Sequence, residues 1–162
     1  MKACVAALIC SCLALPVLAQ DQGDRAVLHL AFPDAPAEFD AVPGRAGLTR
    51  FSALDAISFE GQAGRARLVI TLSLPPDAGP DPQPLDARVI YHPDGFGTAW
   101  QSIAPPGPES FSFHDLALSG PRPRIVGTFT LPLCHRASLL APPDPARCEV
   151  ATGRFDTVLH ID

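Results

Sequence analysis

After Lys2 the chain contains no lysine. From residue 20 onward it carries eleven arginines against seventeen acidic residues, a net charge of −6 with histidine neutral. A protein that grips nucleic acid needs a basic face, so this balance argues against nucleic-acid binding. The missing lysine by itself reads as genomic base composition rather than chemistry. Beyond residue 19 no apolar run approaches the about 20 residues that a membrane-spanning helix requires, so no transmembrane segment is expected. The sequence has no C-x-x-C, no H-x-H, no H-E-x-x-H and no G-x-S-x-G. These absences remove the thioredoxin pair, the short-spaced zinc sites and the nucleophile elbow from consideration, and no cofactor is expected.

The opening segment "MKACVAALICSCLALPVLA" has one lysine, a continuous apolar stretch and small residues at its end. That is the layout of a secretory signal peptide over residues 1–19, with cleavage between Ala19 and Gln20. A second arrangement is a lipoprotein box around Ile9, Cys10, Ser11 and Cys12, which would leave the chain anchored through Cys12. Either way the protein is expected to be periplasmic or secreted. Residues 20–162 then form a single domain, long enough to bury about 68–70% of the unfolded surface.

Removal of residues 1–19 takes away three of the five cysteines and leaves Cys134 and Cys148. Two thiols in an oxidising compartment predict a disulfide.

Period-two patterning dominates what remains. In "RARLVITLSL" the residues Ala66, Leu68, Ile70, Leu72 and Leu74 alternate with Arg65, Arg67, Val69, Thr71 and Ser73, as in a strand with one face in a core. The preceding strand, through Ile57 and Phe59, is expected to return through a turn over Gly61–Gly64, with Glu60 opposite Arg65, Phe59 opposite Ala66 and Ile57 opposite Leu68. A second hairpin runs from Leu85, Ala87, Val89 and Tyr91 through Pro93-Asp94-Gly95 to Phe96, Thr98 and Trp100. Between Phe111/Phe113 and Leu116/Leu118 the apolar parity shifts, which predicts a bulge near His114 and Asp115.

The two cysteines set the C-terminal register. With Cys134 opposite Cys148, Gly127 faces Phe155 and Phe129 faces Gly153, two reciprocal pairs in which a ring covers a bare glycine backbone. Leu131, Leu133, Ala151, Leu159 and Ile161 then share the inner face, and Thr128, Thr130, Thr152, Arg154 and Asp156 point outward. No stretch shows capped three-and-four apolar spacing, so no helix is expected. Seven to nine short strands predict an all-β, antiparallel β-sandwich of immunoglobulin-like type, with a small β-barrel as the alternative and a disulfide-stapled C-terminal hairpin in either case.

Candidate chemistry is sparse. Ser110, Ser112, His114 and Asp115 hold the residue types of a hydrolase triad, but neighbours on one strand do not converge. Asp77, Asp81 and Asp86 lack any calcium-loop spacing, so no metal site is expected. His29 and His160 would meet only if the first and last strands pair. Tyr91, Phe96 and Trp100 are read as core before they are read as a sugar-stacking platform. Arg65, Arg67, Arg122 and Arg124 are candidates for an anion contact, against the simpler reading of solvated strands and edges.

The stapled loop "RASLLAPPDPAR" sets Leu139 and Leu140 near a hairpin tip, followed by Pro142 and Pro143. Capping of the open end of the fold is the expected role, and contact with a partner is the alternative. The chain as a whole is expected to be a monomeric binding or interaction module for a protein or small ligand. An exported hydrolase-like enzyme, with a site assembled from distant residues, is the second class.

Overall fold

The computed structural model describes residues 26–95 and 97–161. The predicted signal segment, the cleavage point after Ala19, the alternative anchor Cys12 and the ring of Phe96 lie outside the described residues. Within them the fold is all-β. The strands are β1 (Val27–Ala31), β2 (Glu38–Ala41), β3 (Gly47–Arg50), β4 (Asp55–Ala63), β5 (Ala66–Leu74), β6 (Asp86–His92), β7 (Ala99–Gln101), β8 (Phe111–Ala117), β9 (Arg124–Arg136), β10 (Cys148–Val158) and β11 (His160–Ile161). None of the described residues forms a helix long and apolar enough to cross a membrane.

The architecture is a closed barrel and not the expected sandwich. Eight strands form the ring β4-β2-β1-β10-β9-β7-β6-β5, and β5 returns to β4 along a nine-residue ladder. Two long strands make closure work. Along one edge of β4, residues 55–58 pair with β3 and residues 61–62 pair with β2. Along one edge of β9, residues 124–129 pair with β8 and residues 134–136 pair with β7. Each long strand therefore hands over from one short partner to the next, and the sheet curls until the eight-strand ring closes, with β8 outside the ring as an edge strand on β9. Alternation along a strand states which face is buried but not which strand lies beside it, so sandwich and barrel give the same sequence pattern.

Glycines at the bends let the long strands pass through a tight interior. A Cβ on Gly61 would lie 2.8 Å from the Phe39 Cβ, and one on Gly153 would lie 2.4 Å from the Phe129 ring. The rings fill the space that the missing side chains leave. Phe39, Phe59, Phe129 and Phe155 are fully buried with Leu28, Leu30, Leu48, Ile57, Leu68 and Ile70. Phe59 and Phe155 meet at 5.2 Å between centroids. An eight-stranded barrel is about wide enough for its own side chains to fill, and here they do.

The C-terminal hairpin has the register derived from the cysteines: Cys134 faces Cys148, Gly127 faces Phe155 and Phe129 faces Gly153. The disulfide is formed. Ile161, however, is exposed, because after Leu159 the chain leaves the barrel wall to pair in parallel with β3. The β4–β5 hairpin keeps the expected faces but not the expected partners. Phe59 lies opposite Ile70 and Ile57 opposite Leu72, a displacement of four residues. The turn is the two-residue Gly64-Arg65 with Gly64 at φ 60°, as a tight hairpin with glycine at its first turn position requires. Gly61 belongs to the strand. Leu85 is likewise exposed, just ahead of β6. The bulge falls where the parity shifted, between Phe113 and Asp115.

Candidate functional site

Two surfaces bring chemistry-bearing residues together: the stapled tip at one end of the barrel, and a polar band on the outer wall.

The tip grows from the far end of β9. Its base is a stack of side chains from β6, β7, β9 and two connecting segments. Phe32, in the β1–β2 connection, lies edge-on to Tyr91 at 5.8 Å and to Trp100 at 5.1 Å. Trp100 meets the His135 ring at 5.2 Å, and the Arg147 guanidinium sits 5.6 Å from the indole centroid. Tyr91 is a core residue, and burial first, then the charges of Asp94 and Asp34, holds its phenol above the ordinary range. Trp100 is half-buried with its neighbours already in contact, so the two rings form a buttress and not an open stacking platform.

Above this base the loop is tied repeatedly. The Asp144 amide donates to the His135 carbonyl at 2.8 Å, the Ala146 amide to Asp144 Oδ1 at 2.9 Å and the Arg147 amide to the Asp144 carbonyl at 3.1 Å. The Ala141 amide donates to both the carbonyl and the Oγ of Ser138. The loop therefore has a fixed shape, closed below by the disulfide. Its apolar residues do not cap the barrel. Leu140 is 98% exposed and Leu139 53% exposed, Pro142 is exposed, and Ala141 and Pro143 are partly covered. Capping fails because Phe32 already closes that end and the tip extends past β1, whose last partner on β10 is Thr152.

The polar band crosses five strands. Glu38, His29, Arg154, Thr128 and Ser112 are successive direct partners on β2, β1, β10, β9 and β8. All of these but Ser112 border an open hollow of about 620 Å³ that also takes in Val27, Val126, His114 and Asp156. Arg154 Nη2 donates to His29 Nε2 at 3.0 Å. A guanidinium has no acceptor, so the imidazole accepts at Nε2 and carries its proton on Nδ1. Asp156 is held at both oxygens by Arg124, at 3.0 and 2.8 Å.

The other sequence candidates do not converge. His29 lies beside Arg154, whereas His160 faces Gly47 on β3, so the two histidines are not neighbours. Ser112 faces Thr128, Asp115 faces Val126 and His114 is the extra residue of the bulge, so serine, histidine and aspartate form no relay. Ser110 Oγ accepts the Gly107 amide proton at 2.8 Å. Asp81 accepts from the Phe113 amide at 3.2 Å, which ties its loop to the open edge of β8. Among the described residues no three His, Cys, Asp or Glu side chains are grouped as a metal would need.

The four arginines separate into two ends. Arg65 is in the β4–β5 turn, and Arg67 is ion-paired with the buried Glu60, its Nε 2.7 Å from Oε1. Arg122 precedes β9 and Arg124 holds Asp156 at the opposite end of the barrel. Sequence reasoning missed a second group around Arg67: its cross-strand partner His92 is buried, and Arg136 Nη1 donates to Gln101 Oε1 at 3.1 Å nearby. No sequence signal joined them, because Glu60, Arg67, His92, Gln101 and Arg136 lie on five different strands.

Compared with known protein families, with curated proteins and with solved structures, the chain matches none.

Proposed function

We propose that this protein is an exported binding module that docks a protein partner through the stapled tip. The observation that carries the reading is the exposure of Leu139 and Leu140 on a loop held in one shape by a disulfide and by its own backbone hydrogen bonds. Apolar side chains left in water on an ordered loop add little to the fold, and contiguous exposed apolar surface is a mark of interaction sites. Binding by such a loop loses little conformational entropy, because the ordering is already done on folding. Export is supported by the disulfide, which persists in oxidising compartments, and by the leader-like first nineteen residues. The filled barrel serves as the rigid support.

The test is the double substitution Leu139→Ser with Leu140→Ser. Thermal unfolding should stay within about 0.5 kcal/mol of the parent, as exposed positions do, while recovery of a partner from the exported fraction should be lost. A clear loss of stability with retained binding would mean that the leucines serve the fold and not recognition.

A further inference from the structure

We propose that the hollow on the outer wall binds a small organic monocarboxylate, with Arg154 as its fork. This site is independent of the tip: Thr128 lies eight residues before Arg136 on β9, about 26 Å along a strand rising 3.3 Å per residue.

Four observations carry the assignment. Arg154 is the arginine of the band, and among the described residues it has no carboxylate partner; its contact is the His29 ring. Arg124 neutralises Asp156 on both oxygens, so that carboxylate is not available to Arg154. The His29 contact uses one Nη, and the guanidinium, which borders the hollow, has further donors. A planar fork of this kind matches the two oxygens of a carboxylate. On the far side of Arg154 stands the Thr128 hydroxyl, its direct cross-strand partner, as a further donor.

The floor selects the rest of the ligand. Val27 and Val126 lie on either side of Asp156 in the adjoining row, both only partly covered. They offer apolar contact beside the fork, and the volume of about 620 Å³ admits a body of several carbon atoms. Glu38, the next partner beyond His29, keeps the band from being broadly basic. That disfavours a dianion such as phosphate relative to a single carboxylate.

The experiment is a titration of the ¹⁵N-labelled protein, residues 20–162, with acetate, butyrate and hexanoate at constant ionic strength, and with butyramide and inorganic phosphate as controls. Butyrate should shift the amide signals of Thr128 and Arg154 saturably, and affinity should rise about two- to fourfold per added methylene, as apolar burial implies. Butyramide and phosphate should leave those signals unmoved at the same concentrations. Arg154→Gln should weaken butyrate at least tenfold with an unchanged thermal midpoint, and Val126→Ser should flatten the chain-length series while leaving acetate alone. Absence of saturable shifts with butyrate, equal saturation by phosphate, or an unaltered response in Arg154→Gln would each overturn the proposal.

Discussion

Gly153 and Phe129 face each other across two strands, and neither makes sense alone. A Cβ at 153 would meet both the Phe129 ring at 2.4 Å and the His29 carbonyl at 2.5 Å, while Gly127 stands in the same relation to Phe155 and to the Ser112 carbonyl. Removing the ring empties a packed core, so Phe129→Ala and Phe155→Ala should each cost about 3–5 kcal/mol in denaturant unfolding, against near silence for Thr130→Ala and Thr152→Ala on the exposed face. These pairs were legible in the sequence because glycine and phenylalanine recur at complementary spacing. The contacts of Arg154 with His29 and of Arg67 with Glu60 were not, since each depends on which strand lies alongside. His92 shows the same limit. Burial lowers its basicity, Arg136 and Arg67 act in the same direction, and the Thr98 backbone and Glu60 oppose them. The unfolded chain therefore takes up that proton first as pH falls. The stabilisation is complete above the ordinary histidine pKa of about 6.5 and is lost below it. Thermal midpoints between pH 7.5 and 5 should fall for the parent and fall less steeply for His92→Gln; parallel slopes would assign the effect to other groups.

At the scale of elements, the β9–β10 hairpin was readable to the residue and the β4–β5 hairpin only to the face. The difference lies in what fixed each register. Two cysteines and two ring-over-glycine pairs over-determine the first. Two glycines competed to be the turn of the second, and any even displacement keeps Ile57, Phe59, Leu68 and Ile70 inside. Gly64 has the positive φ that a turn needs, whereas Gly61 is a close-approach position beneath Phe39. The bulge at His114 was visible because it changes parity, which is the one property a sequence displays directly. The staple joins strands already paired along eleven residues, so it should add stability without deciding the fold. Cys134→Ser with Cys148→Ser should lower the unfolding free energy by about 2–4 kcal/mol and leave the far-ultraviolet circular dichroism spectrum unchanged. A collapsed spectrum would mean that the hairpin depends on the bond.

The whole molecule is where the sequence said least. Seven to nine alternating strands fit a sandwich as well as a barrel, and closure was decided by β4 and β9, each long enough to serve two successive partners on one edge. A sandwich would have left an open end for the tip to cover. In the closed barrel Phe32 fills that end beside Tyr91 and Trp100, which leaves the leucines outside. The fate of the loop thus followed from the topology and could not be read before it. The same closure fills the interior with side chains, so the outer surface is what remains to meet a partner. That claim is tested most directly by placing a photoreactive amino acid at position 140 or, as a control on the exposed wall, at position 152, and illuminating cells that export the protein. A discrete covalent adduct from position 140 that position 152 does not give is the expected result. No adduct from position 140, or the same adduct from both positions, would contradict the assignment of the stapled tip as the recognition surface.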